Sequence, residues 1–118
     1  MQRVVPAFRI TDYLKSKEFY VSGLGFQVDW EHQFEPDFPY FVQISRDDME
    51  IYLTEHTGDC QVGGLIHFFV ADVDSLYAEL VGKCSILGRI KPPQPLEELR
   101  IMTVTDPDGN QLRFCMER

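Results

Sequence analysis

The chain has 118 residues, of which 44% are hydrophobic and 13% are aromatic, and it carries a formal net charge of −8. This length can bury a core as one compact domain, and the negative charge repels phosphate backbones and anionic headgroups, so we expect neither nucleic-acid nor membrane partners. The start is not a basic, apolar leader, and no apolar run of about 18 residues occurs, which predicts a cytoplasmic protein. Three cysteines without CxxC spacing predict reduced thiols rather than a disulfide framework or a structural zinc site.

The first half of the chain reads as one strand, one helix and three further strands. The expected elements are a strand at Val4–Ile10, a helix at Tyr13–Val21, and strands at Phe26–Trp30, Tyr40–Ile44 and Met49–Leu53. Asp12 or Thr11 supplies the oxygen that caps the helix, and the segment Gly23–Gly25 offers the left-handed residue that ends it. The polar residues Arg46–Asp48 predict a hairpin turn between the last two strands.

The second half repeats this plan. The expected elements are strands at Gly64–Val70, Ser85–Ile90 and Arg100–Val104, a helix at Asp72–Val81, and a final strand after the turn Asp106–Asn110. The segment Lys91–Leu96 contains three prolines, which lack backbone donors, and so predicts a surface loop near a cleft.

The two halves also share sequence patterns at matching points. Phe8–Asp12 and Phe68–Asp72 are both apolar runs that end in Asp before a helix, about half a chain length apart. A repeat of whole supersecondary units predicts one α+β domain, residues 1–118, built from two βαβββ modules at about 1–57 and 62–118. We expect the modules to form a half-open, barrel-like sheet around a concave cleft.

Four short motifs, in this order and at this separation, resemble the vicinal oxygen chelate superfamily, which includes glyoxalases, bleomycin-resistance proteins and extradiol dioxygenases. They are Ile10–Asp12, Glu18–Tyr20, Leu24–Phe26 and Asp106–Asn110. The resemblance spans nearly the whole chain and implies paired βαβββ modules with the ligand or metal on the concave face.

The resemblance also implies where a metal would be held. Metal-dependent members carry His, Gln or Glu at three recurrent points, which fall here on Val5, Leu65 and Arg113. Aliphatic side chains have no lone pair to give and a guanidinium stays protonated, so we expect neither a metal site nor another cofactor. His67 lies two residues from Leu65, but a lone histidine without two partners cannot make such a site.

Within the superfamily, the chain is most similar to the metal-free bleomycin-resistance type. The pair Val5–Pro6 resembles the start of those proteins, in which the first strand is exchanged between two subunits, and this implies a homodimer. The alternative is that Pro6 only protects a strand edge. Bleomycin-binding members carry a stacking tryptophan before a late strand, whereas this chain has Glu97–Leu99, which argues against bleomycin itself more than against a binding role.

The candidate ligand-binding residues combine that resemblance with a cluster of aromatics in the first module. They are Trp30, Phe38, Tyr40, Thr54, His67 and Arg113. Rigid aromatics bind planar ligands with little entropy cost, and neighbouring carboxylates favour a cationic guest. The aromatics are also compatible with a core role, which we expect for Phe41 and Phe69.

These observations favour a dimeric protein that sequesters a cationic or aromatic small molecule without catalysis. The alternative is a metal-dependent lyase, isomerase or dioxygenase of the same superfamily. The cysteines have no base evident in the sequence, so we expect no nucleophilic catalysis.

Overall fold

The computed structural model describes residues 2–83, 86 and 88–118, and it has the predicted α+β architecture of two four-stranded sheets. The first sheet contains β1 (Ala7–Arg9), β2 (Gln27–His32), β3 (Phe41–Arg46) and β4 (Met49–Thr54), in the order β1-β4-β3-β2. The second contains β5 (Leu65–Phe69), β6 (Ile90–Leu96), β7 (Leu99–Thr105) and β8 (Gln111–Glu117), in the order β5-β8-β7-β6. In each sheet the first strand is parallel to its neighbour and the other pairs are antiparallel. The described strands therefore form two separate open sheets rather than a closed barrel.

One helix follows the first strand of each module, as predicted. The first, α1 (Tyr13–Lys17), continues as a π-helical segment at Glu18–Gly23, and the second is α2 (Val73–Leu80). The Asp12 carboxylate accepts a hydrogen bond from the Lys15 backbone, which confirms it as the cap. No helix in the described ranges is both long and apolar enough to cross a bilayer.

Gly25 ends the first helical region in the left-handed conformation that the sequence predicted. Its φ is +77°, and a Cβ atom placed there would lie 2.9 Å from Nη1 of Arg46. Glycine is therefore required both for the backbone angle and for the close approach of Arg46.

The core lies between the inner faces of the sheets and the helices. Its largest side chains are at most 2% exposed and include Phe8, Tyr20, Leu53, Met102 and Phe114. The Tyr20 hydroxyl donates to the buried Asp106 carboxylate at 2.8 Å, so the first module's helical region is tied to the final turn of the second. Burial raises the pKa of Asp106, although Asn110 and Tyr20 donate to the carboxylate and oppose that shift.

Two predictions about the second module are wrong. Lys91–Leu96 is not a loop but most of β6, an edge strand whose pairing with β7 shifts register between Lys91 and Gln94. Prolines are tolerated there because an edge strand has one side without ladder partners and a bulge needs fewer donors. The strand expected at Ser85–Ile90 begins only at Ile90, and Cys84, Ser85 and Leu87 lie outside the described residues.

Candidate functional site

Alternation along β3 divides the first sheet into a core face and an open face. Val42 and Ile44 are buried in the core, so Phe41, Gln43 and Ser45 point to the opposite face. Tyr52 of β4 pairs with Gln43 and therefore shares that face.

Three rings on this open face form the aromatic patch, which we define as Trp30, Phe41 and Tyr52. Trp30 is stacked with Phe41 at a centroid distance of 5.9 Å and an angle of 15°, and Tyr52 lies 4.9 Å from Phe41. A register shift between Val28 and Trp30 pairs Trp30 with Gln43 and so brings the indole onto the open face. Trp30 is 41% exposed, which leaves its ring accessible to a planar ligand.

The aromatic patch is continuous with a cavity at the end of the sheet. This cavity has a volume of about 360 Å³ and is lined by His32, Phe34, Phe41, His56 and Asp59.

The His32 and Phe34 rings meet edge to face at 4.6 Å, and Phe34 is 70% exposed. The open face therefore extends from a stacked aromatic surface into a pocket with two imidazoles.

Polar groups occupy the other end of the same face. The Gln43 amide donates to Asp29 at 3.0 Å, and the Arg3 guanidinium donates to Glu50 at 2.7 Å and to Gln43 at 2.9 Å. The hydrogen bond from Gln43 is the largest cause that lowers the pKa of Asp29, and a bond from Ser45 adds to it. The Asp29 carboxylate therefore borders the aromatic patch in its charged form at neutral pH.

The structure separates the first-module residues that the sequence predicted as a site. Trp30 belongs to the aromatic patch, and Phe38 is 46% exposed in the loop before β3. Tyr40 instead packs on the helix side, with its ring 4.7 Å from that of Tyr13. Thr54 is fully buried, and its hydroxyl donates to Asp59 at 2.7 Å, so it supports the loop beneath the cavity.

The other two predicted residues lie on the second sheet. His67 of β5 pairs in register with Arg113 of β8. Arg113 also lines a cavity of about 290 Å³ between β6, β7 and β8. The structure thus brings His67 and Arg113 together, on a different sheet from Trp30.

Two expectations about core aromatics are wrong. Phe41 is only partly buried and faces Trp30 and Tyr52, because its position in the alternation of β3 is opposite to that of Val42. Phe69 is 68% exposed at the end of β5, where alternation places it opposite to the buried Phe68. Tyr52 also belongs to this face although it was not among the predicted site residues, and the alternation in Met49–Leu53 contains that signal.

The residues at the three recurrent metal-ligand points do not fit a metal ion. Leu65 is an aliphatic side chain, 48% exposed on β5, and Arg113 on β8 is a guanidinium. Val5 precedes β1 and offers no donor atom from its side chain. Among the described residues, no group of three or more His, Cys, Asp or Glu side chains is arranged to hold a metal.

Several solved structures share this fold over nearly their full lengths. TnmS3, an antibiotic-binding protein from Streptomyces sp. CB03234, is 21% identical with a TM-score of 0.78, covering 100% of this chain and 98% of that one. A bleomycin-binding protein in complex with bleomycin is 19% identical with a TM-score of 0.76, covering 100% of both chains. A glyoxalase/bleomycin resistance protein/dioxygenase superfamily member from Sphaerobacter thermophilus is 24% identical with a TM-score of 0.73, covering 99% of this chain and 98% of that one.

The family comparison covers the whole chain. No curated protein matches the sequence significantly. The model of the family described as "Glyoxalase superfamily protein" matches residues 1–118. The chain therefore belongs to the glyoxalase superfamily, as its motifs indicated.

Proposed function

We propose that this protein is a homodimeric small-molecule-binding protein that sequesters a cationic or aromatic ligand without catalysing a reaction. The observation that carries the proposal is the aromatic patch, in which a stacked pair of rings and a third ring lie on the open face of a rigid sheet. Such rings contribute a large contact area at low entropic cost when a planar molecule binds.

Charge supports a cationic ligand. The chain has 19 acidic and 11 basic residues, and Asp29 and Glu50 lie on the open face beside the aromatic patch. A cation over an indole face gains both from the ring quadrupole and from nearby carboxylates.

The similar structures support a binding role at the level of the fold. Two of them are named as a bleomycin-binding protein and an antibiotic-binding protein, at 19% and 21% identity. We extend that role to this chain because its own open face carries accessible aromatics.

Exposed apolar side chains support the homodimer. Val4 is 86% exposed, Phe69 68% and Leu96 60%, and a second copy would remove such groups from water. In the single chain, β1 pairs with β4 through only Ala7–Arg9. A partner's first strand could supply the same short ladder, so exchange of this strand is part of the proposal, and light scattering of purified protein tests the dimer itself.

A fluorescence titration tests the ligand site. Trp30 is the only tryptophan, so its emission reports directly on the aromatic patch. We expect a saturable change on titration with proflavine, a planar cation, and bleomycin is the second probe. Tyr52→Leu, which removes a neighbouring ring but keeps Trp30, should weaken binding by at least about fivefold, the lower end of the about 1–3 kcal/mol that one stacked ring contributes in nucleobase stacking.

The control is Leu14→Ala, which changes a side chain that is 76% exposed on α1, away from the open face. Its titration should match that of the unaltered protein. An unchanged Trp30 emission with both probes would contradict the proposed patch. Metal analysis that found a stoichiometric, tightly held divalent ion would instead support the metal-dependent alternative.

A further inference from the structure

A row of polar and basic side chains crosses the whole second sheet on its open face. His67 pairs with Arg113, Arg113 with Thr103, and Thr103 with Lys91, so one residue comes from each of β5, β8, β7 and β6. Neighbouring strands lie about 4.8 Å apart, which separates the Arg113 and Lys91 backbones by about 10 Å. We call these four residues the basic row.

The two strong cations of the basic row have no carboxylate partners within the described residues. The ion pairs found there use Arg3, Lys17, Arg46 and Arg100 as cations. Among the same residues, Arg113 donates only to the Gln111 side-chain amide oxygen, at 3.2 Å. Arg113 and Lys91 therefore place two positive charges on one face of an acidic chain, where an anionic ligand can pair with them.

A cavity lies between these cations. Its volume is about 290 Å³, and Lys91, Thr103 and Arg113 contribute to its lining. Ile101, Pro95 and Leu96 form an apolar wall beside them. The cavity therefore combines two positive charges and a hydroxyl donor with an apolar surface.

We propose that this cavity binds a small organic anion, an aryl or alkyl carboxylate or sulfonate. Arg113 and Lys91 hold the anionic group, Thr103 donates a hydrogen bond to it, and the apolar wall contacts the hydrocarbon part. The ligand class is opposite in charge to the one proposed for the aromatic patch. The cavity lies on a different sheet from the aromatic patch, so this proposal does not depend on the binding function proposed for that patch.

A pair of dyes that differ only in the charged group tests this site. 8-Anilinonaphthalene-1-sulfonate and uncharged 1-anilinonaphthalene share one aromatic body, and both gain fluorescence on entering an apolar environment. We expect saturable binding of the sulfonate. Lys91→Met should raise its Kd about threefold and Arg113→Met about tenfold, while both variants bind the uncharged dye as the unaltered protein does.

Two control variants locate the effect. Lys15→Met makes the same change in net charge on the exposed surface of α1 and should leave sulfonate binding unchanged. Tyr52→Leu alters the aromatic patch and should also leave it unchanged, so failure of one proposal is distinguishable from failure of the other.

Either of two results would overturn the proposal. One is equal sulfonate binding by the unaltered protein and by Lys91→Met. Lys91 is exposed, so its substitution should not disturb folding. The other is a loss of sulfonate binding in Tyr52→Leu as large as that in Arg113→Met, which would place the dye on the aromatic patch.

Discussion

Asn110 shows how one buried side chain can connect both modules. Its Oδ1 accepts from the backbone N–H groups of Gly63 and Gly64 at 3.0 and 2.8 Å. Its Nδ2 donates to the Arg9 carbonyl and to Asp106, both at 2.9 Å. The side chain thus joins β1 to the chain that enters β5 and to the final turn.

We expect Asn110→Ala to lower the free energy of unfolding by about 3 kcal/mol. The substitution leaves several buried donors and acceptors without partners, and each such group costs about 1–3 kcal/mol. Urea unfolding followed by circular dichroism measures the change. Gln33→Ala, which removes an exposed amide that donates to the Phe38 carbonyl, is the matched control and should have little effect. A similar loss in both variants would contradict the role of Asn110.

The sequence predicted the turn at Asp106–Asn110 but not this connection. Turn propensity is a local property, whereas Asn110 and Arg9 are 101 residues apart. Trp30 was found for a similar local reason, because it is a large aromatic in an acidic segment. Tyr40 was misplaced relative to Trp30 because the side of the sheet that it faces depends on register, which composition does not determine.

At the scale of elements, Asp72 caps the start of α2. The Ser75 backbone donates to the Asp72 carboxylate at 3.0 Å, and the Ser75 hydroxyl donates to it at 2.8 Å. The backbone hydrogen bond from Ser75 is the largest cause that lowers the pKa of Asp72. The folded pKa is then below that of the unfolded chain, so the stabilisation is present above about pH 4 and is lost as pH falls through the folded pKa.

We therefore expect Asp72→Ala to lower the Tm at pH 7, and the difference from the unaltered protein to narrow at about pH 3. Thermal melts at the two pH values measure this. Asp72→Asn keeps an oxygen acceptor without the charge and should retain part of the stability with less dependence on pH. A constant Tm difference at both pH values would show that the charged cap is not the cause.

The proline-rich segment shows where element prediction from sequence failed. Proline content argues correctly against a central strand, but β6 is an edge strand with a bulge, where the missing donors cost little. Position within a sheet is a tertiary property, and Lys91–Leu96 carries no local signal of it. Phe69 was wrongly expected in the core for the same reason: its exposure depends on which face of β5 the rest of the protein covers, and this is not a local property of the sequence.

At the scale of the whole molecule, Arg46 connects the two modules. From the end of β3 it donates to Glu79 of α2 through both Nη atoms at 2.7 Å, and Nη1 also donates to the Leu24 carbonyl at 2.6 Å. The hydrogen bond from Arg46 lowers the pKa of Glu79. The Arg46 side chain is only 19% exposed, so this pair is better shielded than a typical surface ion pair.

We expect Arg46→Met to destabilise the protein by about 1–2 kcal/mol, because it removes two charge-assisted bonds while keeping the apolar stem. A double-mutant cycle with Glu79→Met should give a coupling energy of about 0.5–1 kcal/mol. Chemical unfolding of the four proteins measures it. The corresponding cycle at Lys17 and Glu31, an ion pair within the first module, is the control and should give a smaller coupling. A coupling energy near zero between Arg46 and Glu79 would contradict a stabilising contact between the modules at this pair.

The two-module plan was predictable because each half of the sequence repeats the local signals of a strand, a capped helix and a hairpin. The family motifs also occur in both modules. The contacts between modules were not predictable, because the partners of Arg46, Glu79 and Asn110 lie far away in the sequence, where no local pattern reports on them. The basic row was also hidden, since its four residues are spread from 67 to 113 and become neighbours only through strand order.

The prolines of β6 also restrict how the molecule can grow. A strand added to a sheet edge needs a row of backbone donors, and Pro92, Pro93 and Pro95 remove three from the seven residues of β6. Backbone pairing with another polypeptide is therefore disfavoured at this end of the second sheet. Backbone pairing remains possible at the outer edges at β1, β2 and β5. The second sheet can therefore be extended by another strand at its β5 edge but not at its β6 edge.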